Sequence, residues 1–130
     1  GWWLRQIIEG QTLKIFGDGL QFRDFNFVDD VVSALLLAAA DEGANGQIYN
    51  LGAPEPINLL DLAELLIDCH GQGSYEITPF PEDRRRIDIG DYQGDFGKIS
   101  SELGWRPQVG LHDGLQRSLA YYEQNLQHYI

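Results

Sequence analysis

The run VVSALLLAAA at residues 31–40 is apolar on nearly every face of a helix, with Ser33 the one interruption. Such a helix is stable only where neighbours cover most of its sides. Asp29 and Asp30 precede it as capping residues, so a helix is predicted from Asp30 through about Asp41. A chain of 130 residues can build one domain with a real core. It has few other elements with which to surround this helix, which is therefore expected to pack against something further. The run is too short to span a bilayer.

Charge narrows the partners. Twenty acidic residues against nine basic ones give a formal net charge of -11. Phosphate-backbone binding needs a basic face, so nucleic acid is not an expected partner. An anionic membrane surface is disfavoured for the same reason. Cys69 is the only cysteine, which rules out an internal disulfide, and no basic-then-apolar signal segment opens the chain. A cytoplasmic location is the expectation.

The remaining elements read as alternating helices and strands. Residues 1–10 look like the end of a helix, with Trp2, Trp3, Ile7 and Ile8 apolar and Gly10 as its stop, so the chain begins inside an element. Residues 12–16 alternate as a short strand, and Gly17, Asp18 and Gly19 form a turn. Residues 21–28 read as a second strand, with Phe22, Phe25 and Phe27 apolar. Gly46 precedes a short strand at residues 47–51, and Pro54 and Pro56 mark a loop. Asn58 caps an amphipathic helix bearing Leu59, Leu62, Ala63 and Leu66 on one face and ending before Gly71. Residues 75–80 are a further strand, placed near an edge by Pro79 and Pro81. Residues 83–95 form a polar connection, and residues 96–103 a short helix stopped by Gly104, with Pro107 beyond. Leu111, Leu115, Leu119 and Tyr122 line up on a last helix, from Leu111 to about Asn125. The pattern predicts an α/β architecture.

Catalytic constellations are missing from the sequence. It has no G-x-S-x-G elbow and no zinc-like Cys/His spacing, and His70, His112 and His128 read as surface residues. Residues 24–30 resemble a calcium loop only superficially, because Asp29 stands where such a loop needs glycine. Gly17 and Gly19 follow a strand, but a second strand comes next rather than the helix a dinucleotide turn requires. Gly90, Gly94 and Gly97 follow no buried strand. No tyrosine has a lysine four residues on. What remains is anion binding. Arg84, Arg85 and Arg86 sit together in a loop, and Arg23 lies in the aromatic strand beside Phe22 and Phe25. Arginine forks suit phosphate oxygens. The same side chains could instead form surface ion pairs: Arg23 with Asp24 or Asp29, the triplet with Glu82, Asp83 and Asp88.

The order of short motifs adds to this reading. Gly17-Asp18-Gly19, then Gln21-x-Arg23-Asp24-Phe25, then Val28-Asp29-Asp30-Val31 resembles the start of the C-terminal half of extended short-chain dehydrogenase/reductases. Tyr49-Asn50-Leu51-Gly52 is similar to the next family block. Arg85-x-x-Asp88, Asp95-x-x-Lys98, Leu103-Gly104-Trp105-x-Pro107 and Gly114-Leu115 are similar to the closing ones. Together they cover nearly the whole chain. The relatives so indicated are NAD-dependent nucleotide-sugar epimerases, dehydratases and decarboxylases.

The resemblance implies a fold: the C-terminal substrate-binding portion of such an enzyme, lacking most of its Rossmann domain. Residues 1–130 would be a single sugar-nucleotide-binding domain, of which about 29–52 would belong to the Rossmann sheet of the full enzyme. It also implies roles. Arg23 would contact the pyrophosphate of a UDP- or dTDP-sugar, with Gln21 and Phe25 near the nucleoside or its phosphates. Arg85 would make the second phosphate contact, and Asp88 would accept hydrogen bonds from ribose hydroxyls. Asp29, Asp30 and Asn50 would be structural, as would Asp95 and Lys98, with Trp105 a core or lid anchor. NAD would be the cofactor of the parent enzyme and would not bind this chain alone. No residue here is expected to be catalytic or to bind metal, and the isolated chain is expected to be inactive and to self-associate. A stand-alone interaction or structural module that reuses the half-domain without binding nucleotide is the alternative.

Overall fold

The computed structural model describes residues 1–129. Its α/β fold is built on a parallel pair of strands, β1 (Leu13–Phe16) and β4 (Tyr75–Thr78), in the register Leu13 opposite Tyr75 through Phe16 opposite Thr78. Three helices pack with β1: α1 (Trp2–Ile8), α3 (Leu59–His70) and α6 (Leu111–Asn125). Their shared core is Ile7, Leu13, Ile15, Ala63, Leu66 and Leu119, all buried. The Asn58 side chain accepts a hydrogen bond from the Asp61 amide at 2.8 Å, starting α3, and Gly71 ends it with φ 82°. That left-handed turn is open to glycine without a side-chain clash.

A second, smaller pairing is antiparallel: β2 (Phe22–Arg23) with β3 (Ile57–Asn58). The predicted strand at residues 21–28 is therefore real over two residues only. Asp24 then leaves the ladder, its carboxylate accepting from the amides of Ala53 and Gly94 at 3.2 and 2.8 Å. The strand predicted at residues 75–80 stops at Thr78, just before Pro79, which has no amide hydrogen for a ladder.

Helix α2 (Val28–Ala40) starts earlier than predicted, and neither aspartate caps it, because the N-cap position is Phe27. Asp29 lies in the first turn and is exposed. Asp30 is buried and points away from the helix end. Its two carboxylate oxygens accept from the amides of Gln108 and Val109, each at 3.0 Å. It thus fastens the loop before α6. The other described residues cover α2 only in part. Ala34 packs inward, while Leu35 and Leu36 are 64% and 66% exposed.

Residues 47–51 form no strand, since no other segment of the described residues offers them a ladder. Side chains hold them instead. Lys98 Nζ donates to Gln47 Oε1 at 2.8 Å and to the Ile48 carbonyl at 3.3 Å, and lies 5.0 Å from the centre of the Tyr49 ring. Lys98 belongs to α5 (Gly97–Leu103), whose Ile99 forms a second core with Ala34 and Trp105. The polar connection contains one further helical turn, α4 (Glu82–Arg85).

Candidate functional site

A cleft of about 1400 Å³ opens between the α1, α3 and α6 side of the fold and the segment carrying β2 and α4. It exceeds the few hundred to about 1000 Å³ usual for a small-molecule site. Its walls include Gln21, Arg23, Phe25 and Asp88. Four of the five residues singled out in the sequence are thus brought to one place. Arg85 is not among the lining residues; its neighbour Arg84 is. Asp83 and Arg84 of the α4 turn line the cleft, as do Ile87 and Asp88 beyond its end at Arg85.

Arg23 is the best-anchored cation in the cleft. Its Nη2 donates to Asp88 Oδ1 at 3.0 Å, and its Nη1 donates to the carbonyls of Phe22, at 2.7 Å, and of Gly90. Neither Asp24 nor Asp29, its two candidate partners in the sequence, takes this role. The Arg23 and Asp88 side chains are 21% and 28% exposed. A shielded pair is held more firmly than a surface one. Residues 87–93 are strapped onto β2 by two further hydrogen bonds to the Phe22 backbone. Phe22 donates its amide to Asp91 Oδ1 at 2.9 Å, and Tyr92 donates its amide to the Phe22 carbonyl at 3.0 Å. Beyond Asp91, Gly94 meets Gly52 with no room for a side chain. A Cβ on Gly94 would stand 2.1 Å from the Leu51 carbonyl oxygen.

The arrangement suits an anion held by forked hydrogen bonds, with a carboxylate beside it to receive hydroxyl donors. Gly17 and Gly19 take left-handed φ values of 79° and 73°, but they lead into the turn before β2, not into a helix N-terminus. Among the described residues there is no cluster of metal-ligating side chains. No helix among the described residues is long and apolar enough to cross a membrane. The hydroxyls of Tyr49, Tyr75 and Tyr129 are held above the ordinary tyrosine value, chiefly by hydrogen bonds with Glu102, Glu64 and Tyr121 respectively.

Comparison with known proteins covers almost the whole chain. The family model described as NAD dependent epimerase/dehydratase family matches residues 1–52. A dTDP-glucose 4,6-dehydratase of Actinoplanes sp. is 33% identical over 120 residues, 92% of this chain. The chain belongs to the NAD-dependent epimerase/dehydratase family. A UDP-glucuronic acid decarboxylase 1 of Danio rerio is similar at 32% identity over 127 residues, covering 95% of this chain and 28% of that protein. Among solved structures, the dTDP-glucose 4,6-dehydratase DesIV of Streptomyces venezuelae, which holds NAD, superposes with a TM-score of 0.84 at 30% identity. It covers 97% of this family member and 38% of its own chain. A UDP-glucose 4-epimerase of Thermotoga maritima, solved with UDP-glucose, gives a TM-score of 0.80 at 30% identity, covering 96% of this chain and 39% of its own. The present family member spans less than two fifths of the length of these relatives.

Two residues of the cleft carried no signal in the sequence. Gln6, in α1, and Asn26, just beyond β2, both line it. A lone amide on an apolar helix reads as an interruption of the pattern, and nothing but the fold brings these two to one cavity.

Proposed function

We propose that these 130 residues are the C-terminal, sugar-nucleotide-binding portion of an NAD-dependent nucleotide-sugar epimerase or dehydratase. The observation that carries the proposal is the Arg23 guanidinium on the wall of the cleft, oriented by Asp88 and the Phe22 and Gly90 carbonyls. The diphosphate of a UDP- or dTDP-sugar lies against Arg23, with Arg84 or Arg85 of the α4 turn neutralising the second charge. Asp88 exchanges part of its ion pair for ribose hydroxyls, and Gln21 and Phe25 border the nucleoside. The relatives' printed ligands, NAD and UDP-glucose, support this reading.

The residues present bind and orient but do not supply the reaction. They include no glycine-rich strand–turn–helix and no Tyr-x-x-x-Lys pair. In the parent enzyme NAD supplies transient hydride chemistry, and the residues that hold it are not among these. The exposed α2 face, with Leu35, Leu36 and the neighbouring Ile48, would lie against the dinucleotide-binding part, residues 29–52 contributing to its sheet. In the isolated chain the same face drives self-association. Sedimentation showing only monomer at high concentration would count against that step. The same exposed face is what favours the second reading, an interaction module that binds no nucleotide. A cytoplasmic setting accords with a chain whose single cysteine leaves it without an internal disulfide.

Calorimetric titration separates the two. The purified chain is expected to bind UDP-glucose or dTDP-glucose and to show no turnover when NAD is added. Turnover by the chain alone would refute its incompleteness, and absence of any nucleotide binding would favour the interaction module.

A further inference from the structure

Two buried side-chain polar atoms among the described residues lack a hydrogen-bond partner: Gln6 Oε1 and Asn26 Oδ1. Both belong to residues that line the cleft. A buried acceptor without a partner destabilises the fold, and native chains keep few of them. Gln6 is the sharper case. The residue is 5% exposed, and none of the side-chain hydrogen bonds of the described residues involves its amide. Nothing else in its helix requires a polar group there, for its neighbour Ile7 belongs to the apolar core.

Building on the diphosphate reading, we infer that Gln6 is a specificity-determining residue that hydrogen-bonds the edge of a pyrimidine base. The position supports this. Gln6 stands on α1, which packs against α3, α6 and β1, whereas Arg23 stands on β2, which pairs with β3. The cleft reaches from one to the other. A ligand whose diphosphate lies on Arg23 therefore extends its far end toward α1. The walls that include Gln6 are otherwise largely apolar, with Leu4, Leu62, Leu66 and Phe16 among the lining residues. Such walls suit a flat ring with apolar faces and a polar edge, and suit poorly a sugar that carries hydroxyls all round. A carboxamide presents a donor and an acceptor side by side, matching the N–H and C=O that adjoin on a uracil or thymine ring. Rotation about the last side-chain bond exchanges the two ends at little cost, so either can turn to the ligand. The orphaned acceptor is then a group left unsatisfied until the base arrives.

The test compares wild type with Gln6→Met, which keeps the side chain's length and removes its hydrogen bonding. Affinities for UDP, for 3-methyl-UDP and for inorganic pyrophosphate are measured by calorimetry, and Tm by calorimetric melting. Wild type is expected to bind UDP more tightly than pyrophosphate and to bind 3-methyl-UDP more weakly than UDP. In Gln6→Met, UDP affinity falls about tenfold, pyrophosphate affinity is unchanged, and Tm stays level or rises. Equal UDP affinity in the two proteins overturns the inference while leaving the diphosphate site standing. So does a wild type indifferent to the methyl group, or one that binds UDP no better than pyrophosphate. Loss of UDP and pyrophosphate together, or a fall in Tm, assigns Gln6 to the fold and overturns it too. A wild type that binds neither UDP nor pyrophosphate defeats the diphosphate reading itself, and this inference with it.

Discussion

Trp105→Ala is expected to lower the stability of the chain by about 3–5 kcal/mol, the usual cost of emptying a large aromatic from a core. Trp105 is 2% exposed and packs with Ala34 and Ile99, its ring 6.1 Å from Phe96 in an edge-on arrangement. Its indole N–H donates to the Asp30 carbonyl at 2.9 Å. Truncation therefore opens a cavity and removes the indole's hydrogen bond to the Asp30 carbonyl, two losses that add in the same direction. Against a domain stability of roughly 5–15 kcal/mol, this removes a large fraction. At roughly 4 °C per kcal/mol the melting temperature would fall by some 10–20 °C. Trp105→Phe keeps most of the ring and loses the hydrogen bond, so it should cost less than half as much. Calorimetric melting of the three proteins checks both statements. The effect would reach the cleft, because Asp30 also holds the amides of Gln108 and Val109, and Val109 lines the cavity.

The second large effect concerns binding. Arg23→Gln should weaken UDP affinity about 10- to 100-fold, since charge-assisted hydrogen bonds contribute roughly 1.5–3 kcal/mol. Arg23→Lys retains the charge but not the fork, and should fall between the two. The variant also frees Asp88, so an uncompensated carboxylate would face the diphosphate and add to the loss. Titration of UDP against wild type and both variants reads this directly. Equal affinities in all three would remove Arg23 from the site. Raising the salt concentration should weaken wild type more than Arg23→Gln, because only the former has the full charge attraction to screen.

The parts of this molecule that were legible in its sequence are those whose forces are local. Asn58 and Gly71 bracket α3 because a cap and a left-handed turn depend on their own few residues. The periodic leucines of α6 likewise marked its start at Leu111 and its end near Asn125. Residues 47–51 have the composition of a strand, yet a strand exists only in a ladder, and sequence pattern says nothing about whether a partner is present. Asp30 shows the same limit. Placed ahead of an apolar helix it looks like a cap, but its carboxylate reaches the backbone of Gln108 and Val109, far along the chain.

The site divides along the same line. Arg23 and Asp88 could each be picked out as groups fit for anion and hydroxyl chemistry, and the motif resemblance tied them to one ligand. Their direct pairing depends on residues 87–93 folding back over β2, which no local rule specifies. The sequence pointed to Arg85 within the arginine triplet, whereas Arg84 is the member that lines the cleft. Which of its members faces the cleft depends on the single turn α4, a feature too short to leave a periodic signature. Gln6 and Asn26 escaped notice because an amide is unremarkable until its neighbours leave it unsatisfied.

The most direct test of a nucleoside diphosphate in this cleft is a chemical-shift map of the isotopically labelled chain titrated with UDP. Saturable shifts should gather at Gln21, Arg23, Phe25 and Asp88, with the Arg23 side-chain N–H signals moving most. Shifts confined to the exposed face of α2, or none at any UDP concentration, would contradict the account.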